Sequence, residues 1–125
     1  MKKLILILLL LIPITIFSSP LHIGHAKVYV KYCITSDRHD TYDEESNYIR
    51  EYCSNNVQVF YFFNSNNTCY EQTTFYDKSI LAKLYTQLSS LTPVTTNIWI
   101  DTSNGVYYEL LIQDKDTYFC IRNWK

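Results

Sequence analysis

Asn97-Ile98-Trp99-Ile100-Asp101-Thr102-Ser103-Asn104-Gly105-Val106-Tyr107-Tyr108-Glu109-Leu110-Leu111-Ile112 is the stretch on which the fold turns. Two runs rich in β-branched and aromatic residues flank Asn104-Gly105, a pair that readily takes the positive φ angles of a type I′ turn, so the simplest reading is a hairpin. Residues 114–117, Asp-Lys-Asp-Thr, supply a second turn before Tyr118-Phe119-Cys120-Ile121-Arg122. The expected result is a three-stranded meander at the C-terminus, with Cys120 in its last strand available to staple an earlier element.

Toward the N-terminus of that stretch, Leu81, Leu84, Leu88 and Leu91 recur at helical spacing behind Asp77, a good N-cap, and Pro93 ends the run. This leucine stripe reads as core packing. Before it, Val57-Gln58-Val59-Phe60-Tyr61-Phe62-Phe63 is too short for a buried helix and too rich in β formers for a loop, so it predicts an interior strand. Residues 64–68 form a polar tip, and residues 69–76 return as the second arm of a hairpin. The tip contains Asn66-Asn67-Thr68, an acceptor sequon that places Asn66 on a surface turn in an exported protein.

Earlier still, Thr41-Tyr42-Asp43-Glu44 matches a capping box, with Asp43, Glu44 and Glu45 in a first turn where the helix dipole favours negative charge. A helix over residues 42–54 is expected, with Asn55-Asn56 ending it. Residues 28–35 alternate in the manner of a strand. The order of strand, helix, strand pair, helix and three strands predicts an α+β fold with two helices on a mostly antiparallel sheet, because the later connections are too short for crossovers.

The first residues bear on the compartment. Lys2 and Lys3 precede an apolar run from residue 4 to 17, then Ser18-Ser19-Pro20, the pattern of a secretory signal. About 20 apolar residues are needed to span a bilayer, so the run is short for an anchor. Gly24 and Ala26 supply small residues at the −3 and −1 positions of a cut after Ala26. The expected organisation is a signal over residues 1–26 and one secreted α+β domain over 27–125, with no membrane association after cleavage; an uncleaved type II anchor, with the domain outside, is the alternative.

Loss of Lys2 and Lys3 takes the formal charge from −1 to −3, which does not suit nucleic-acid binding. Two glycines in the chain exclude Gly-rich phosphate loops. Four cysteines, Cys33, Cys53, Cys69 and Cys120, follow the signal and read as two disulfides with three possible pairings; no C-x-x-C suggests zinc. His39-Asp40 is the one adjacent acid/base pair, and it reads as a solvated turn. The acidic group Asp40, Asp43, Glu44, Glu45 reads as a helix start in preference to a cation site. Twelve tyrosines are a better functional signal, since tyrosine is favoured at interfaces. Tyr107 and Tyr108 must face opposite sides of a strand, and the same parity applies to Tyr61. These three are the expected partner-binding residues.

Taken together, Thr41-Tyr42-Asp43-Glu44-Glu45-Ser46-Asn47-Tyr48-Ile49-Arg50-Glu51-Tyr52-Cys53 resembles the first helix of C-type lectin-like domains, which often begins Thr-Trp, carries two acidic residues and ends in a half-cystine. The leucine helix running into Asn97-Ile98-Trp99-Ile100 is similar to that family's second helix and central Trp-Ile-Gly strand, and Tyr118-Phe119-Cys120-Ile121 to its closing strand. The resemblance implies a bridge between Cys53 and Cys120, leaving Cys33 with Cys69. The family's Glu-Pro-Asn or Gln-Pro-Asp calcium triplet is absent, so the resemblance implies a compact variant, of the kind that includes virus-encoded ones. Such a variant has no metal, no cofactor and no calcium-dependent sugar binding. What remains is a secreted or displayed ligand for another protein, an immune modulator and not an enzyme. The rivals are a small secreted hydrolase using His39 and neighbouring acids, and an unrelated secreted β-rich immunomodulator.

Overall fold

The computed structural model of the chain describes residues 20–112 and 118–125. The first nineteen residues of the expected signal, and the turn expected at residues 114–117, lie outside the described residues. Among the described residues the fold is α+β, with two helices and an eight-stranded antiparallel sheet. Helix α1 spans Lys27–Tyr32 and runs on into a π-helical turn over Cys33–Asp37. Strands β1 (Thr41–Glu44), β2 (Tyr48–Tyr52), β3 (Gln58–Phe63) and β4 (Cys69–Asp77) follow as consecutive antiparallel neighbours. A 3-10 turn, Lys78–Ile80, leads into α2 (Leu81–Leu88). Strands β5 (Thr92–Pro93), β6 (Ile98–Asp101), β7 (Val106–Ile112) and β8 (Tyr118–Trp124) complete the sheet, whose order is β1-β2-β3-β4-β8-β7-β6-β5.

Two expectations from sequence exchange places. Residues 28–35, read as a strand, are helical: the buried positions are Val30, Cys33 and Ile34, three and four residues apart, while Val28 and Tyr32 are exposed. Residues 42–54, read as a helix, form the β1–β2 hairpin and the turn beyond it. The capping-box residues Thr41 and Glu44 lie on β1, and Glu44 pairs with Lys27 and Lys31 of α1 at 3.2 Å. Asn55 and Asn56, read as a helix stop, both have positive φ, 61° and 60°, the geometry of a type I′ turn joining β2 to β3. Conversely, Asn104-Gly105 closes a four-residue loop: only Gly105 is left-handed (φ 68°), and its amide and that of Asn104 both donate to the Asp101 carbonyl.

The β3–β4 hairpin, its polar tip and the Asp77 cap are as expected; the Asp77 carboxylate accepts from the Ser79 amide at 2.8 Å. Leu84 and Leu88 of α2 are fully buried, and Leu81 and Leu91 flank them. Register lines up the core in rows. Ile49, Tyr61, Gln72, Asn123, Tyr108 and Trp99 lie opposite one another across six strands, and all are buried. Val30, Ile34, Leu84 and Leu88 join that side of the sheet in one apolar cluster. No helix among the described residues is long and apolar enough to cross a membrane.

Residues 20–26 are part of this body. The Gly24 amide donates to the Cys69 carbonyl (2.7 Å), the Cys69 amide to the His25 carbonyl (2.9 Å), and the Lys27 amide to the Asn67 carbonyl (2.8 Å). Gly24 takes φ 91°, a turn that a side chain would strain. Leu21 and Ile23 pack on the apolar cluster, and Gln72 holds the Pro20 carbonyl. The segment is a strap laid over the start of β4.

Candidate functional site

Two arrangements outside the apolar core have enough organised chemistry to be considered. The first is a buried polar network beneath α1. Strand β2 alternates so that Ile49 and Glu51 both point inward, and Glu51 has no exposed surface. Arg38, just past the π turn, grips it in a bidentate pair, Nε to Oε2 at 2.8 Å and Nη2 to Oε1 at 3.1 Å. The Tyr61 hydroxyl donates to Oε1 at 2.6 Å. His22 Nε2 faces Arg38 Nη1 at 3.3 Å, and its Nδ1 lies 2.9 Å from His25 Nδ1. With Nε2 accepting from Arg38, His22 holds its proton on Nδ1 and donates it in a hydrogen bond to Nδ1 of His25.

Electrostatics agree with that assignment. Burial, then the Arg38 charge and His25, press the His22 pKa down to about 4, so the imidazole is neutral. Burial alone would raise Glu51, but hydrogen bonds from Arg38, Asp40 and Tyr61 outweigh it and hold the carboxyl below its usual range. Burial and the neighbouring Glu51 raise Asp40. Burial and the Glu51 charge push Tyr61 up, keeping the phenol protonated.

Asp40, Glu51 and Cys53 bring ligand atoms within 4.8 Å of one another, a donor set that suits zinc by type. Both Glu51 oxygens are already held by the Arg38 guanidinium, and a cation there would sit against that fixed positive charge. The trio therefore reads as a structural knot. His39 is exposed at φ 56°, while Asp40 turns to Glu51 and Cys53, so the structure does not assemble a His39-Asp40 dyad. Of the acidic group expected at a helix start, Asp43 instead takes Arg50 and the Tyr52 hydroxyl across the β1–β2 hairpin.

Sequence reasoning missed His22, Arg38 and Glu51. A signal for Glu51 existed: Tyr48-Ile49-Arg50-Glu51-Tyr52 alternates with Glu51 in phase with Ile49, but a charge at an inward position hid the period.

The second arrangement is the opposite face of the sheet. Among the described residues both helices and the strap pack on the other side, and this face shows three cross-strand rows. Tyr48, Phe62, Glu71, Trp124, Tyr107 and Ile100 form one; Arg50, Phe60, Thr73, Arg122, Glu109 and Ile98 the next; Tyr52, Gln58, Phe75, Cys120 and Leu111 the third. The aromatic rings contact one another. Phe60 meets Tyr48, Phe62 and Phe75 with centroids 5.5–6.3 Å apart, and Tyr107 stacks on Trp124 at 5.3 Å. Arg50 lies over Tyr52 and Phe60, and Arg122 over Trp124 at 4.8 Å. Leu111 and Tyr118 are exposed at one end, beside a cavity of about 260 Å³ lined by Gln58, Phe75, Phe119 and Cys120.

Of the three tyrosines expected to meet a partner, Tyr61 is fully buried and Tyr108 nearly so, both facing the helices; Tyr107 lies on the open face. Asn66 is exposed at the tip of the β3–β4 hairpin. No disulfide joins Cys33, Cys53, Cys69 or Cys120. Cys53 follows β2 and Cys120 lies in β8, with β3 and β4 between them, a separation of about 14 Å at the usual strand spacing. A disulfide needs Cα atoms within about 7 Å, so the structure does not bring this pair together.

No protein family, curated protein or solved structure matches the chain. Nothing in those comparisons identifies a C-type lectin-like domain. The segment that carried the resemblance as a first helix, residues 41–53, is a β-hairpin, and its cysteine lies far from the last strand.

Proposed function

We propose that this chain is an exported protein-binding module that presents the open face of its sheet to another secreted or cell-surface protein. The observation that carries this reading is the aromatic face itself, formed by Tyr48, Phe60, Phe62, Phe75, Tyr107 and Trp124 on strands that no described element covers on that side. Aromatic rings and arginine concentrate binding energy at protein interfaces because they bury large areas at low entropic cost. Export is supported by Lys2, Lys3 and the apolar run behind them. Recognition here needs no metal and no bond-making step; immune modulation is a role compatible with that chemistry.

The test is affinity capture from cell surfaces and secreted fractions by the purified exported chain, beside a Tyr48→Ser/Trp124→Ser variant whose circular dichroism matches the parent. The reading expects specific capture by the parent, loss of it in the variant, and no change on adding chelator. Capture that survives the variant undiminished, or that vanishes with chelator, would overturn it.

A further inference from the structure

We infer that the protein received by the open face is a second copy of this chain, the two sheets packing face to face about a two-fold axis that runs along β4. The inference rests on the reading of that face as a protein-recognition surface and adds the identity of its occupant.

The first argument is charge. Every charged side chain in the three rows is already compensated within its own chain: Arg50 by Asp43 at 3.2 Å, and Arg122 by Glu71 at 2.8 Å and Glu109 at 3.2 Å. A face with no unpaired charge exerts little pull on an oppositely charged stranger. Its pattern nevertheless fits itself. A half-turn about the β4 direction sets β2 opposite the second copy's β7, and β3 opposite the second copy's β8, with each row facing its own counterpart. Arg50 then meets the second copy's Glu109, and Arg122 meets the second copy's Phe60. In the next row Tyr48 meets the second copy's Tyr107, Phe62 meets the second copy's Trp124, and Glu71 lies on the axis against its own copy, each carboxylate held by Arg122 of its own chain at 2.8 Å; in the third, Phe75 lies on the axis against its own copy. Aligned sheet packing leaves the strands about 30° apart, within the reach of these long side chains.

The second argument is area. The seven strands that overlap about this axis, at about 4.8 Å spacing and about 13–30 Å long, offer on the order of 600 Å² of sheet, within the range of roughly 600–1,000 Å² per partner of a stable interface. The third is the state of the edges. Edge strand β1 carries Asp43 and Glu44, and edge strand β5 is two residues ending in Pro93, so pairing of copies edge to edge is blocked at both ends. Self-association is thereby directed to the face.

Sedimentation velocity on the exported chain, the Arg50→Glu variant, the Glu109→Arg variant and their equimolar mixture tests this. The parent is expected to be a dimer at micromolar concentration. Each single variant places like charges opposite each other twice, and its dimer should weaken by about tenfold or more. The mixture should recover dimer, because Glu at 50 in one copy then meets Arg at 109 in the other and the wild-type pair is kept on the second side. A monomeric parent, or single variants that dimerise as the parent does, or a mixture that fails to recover, each overturns the inference. The capture experiment separates the two readings: a monomeric parent whose capture is lost in the Tyr48→Ser/Trp124→Ser variant keeps the recognition face and removes the self-pairing.

Discussion

Glu51 is a carboxylate with no solvent-exposed surface, and the fold around it is shaped to keep it charged. Glu51→Gln would leave Arg38 without its counter-ion under α1, and removing one member of a buried pair costs about 3–5 kcal/mol. Tyr61→Phe removes one neutral donor to a charged acceptor and should cost about 1–3 kcal/mol. Urea unfolding of the two variants checks both the size and the order; a Glu51→Gln protein as stable as its parent would show that the pair is not structural. His22 adds a pH dependence with a definite sign. Its pKa falls from the ordinary 6.5 to about 4 in the fold, so between those values the unfolded chain takes a proton that the folded chain refuses. Stability should therefore drop as pH falls through that window, by about 3 kcal/mol across its full width. Asp40, raised by burial and Glu51, acts with the opposite sign, since the fold retains its proton. Stability measured from pH 7 to 5 should fall in the parent and stay flatter in His22→Gln; equal slopes would remove His22 as the cause.

At the scale of elements, the strap over residues 20–26 makes its own prediction. A cut after Ala26 would remove the buried His22 ring, the packed Leu21 and Ile23, and the backbone bonds to Cys69. Amino-terminal sequencing of an exported product should find a first residue at or before Pro20; a product beginning at Lys27 that is as stable as the longer chain would show the strap to be dispensable. Legibility from sequence divides along the same elements. The strand at residues 58–63, the polar tip, the Asp77 cap and the leucine stripe could be read because apolar period and turn chemistry agreed there. The first third could not. A charge at an inward position breaks the strand period in β2, and Val28 and Val30, two apart, look like alternation in α1, although only Val30 is buried there and it shares a face with Ile34 one turn on. Asn55-Asn56 suits a type I′ turn and a helix stop alike, and the sequence around it does not choose between them. The aromatic face was half visible: parity placed one of Tyr107 and Tyr108 outward, but only cross-strand register shows which rings share a surface. The same register bears on the cysteines, and peptide mapping without reductant should find no link between Cys53 and Cys120.

For the molecule as a whole, the sheet order has a consequence for cooperativity. Strands β1 to β4 are joined by sequential hairpin pairings, and β5 to β8 pair in sequence likewise; among the described residues the hydrogen-bonded ladders of the two sets join where β4 pairs with β8 over seven residue pairs. Each set alone is a single sheet layer that shares α1 or α2 as cover, so neither buries its own apolar face fully. Ile121 sits at that junction, opposite Thr74 on one side and Leu110 on the other, and is almost completely buried. Ile121→Ala opens a cavity at that junction, for which about 2–5 kcal/mol is the usual cost. If the sheet folds as one unit, thermal and urea transitions of that variant stay single and shift together, and amide exchange in β3 and in β7 slows or quickens in step. Edge strands β1 and β5 should exchange fastest in parent and variant alike. Separation of the variant's unfolding into two transitions, with β1–β4 amides and β5–β8 amides tracking different midpoints, would mean that the β4–β8 pairing docks two independently stable sheets; the shared apolar cluster argues for a single transition.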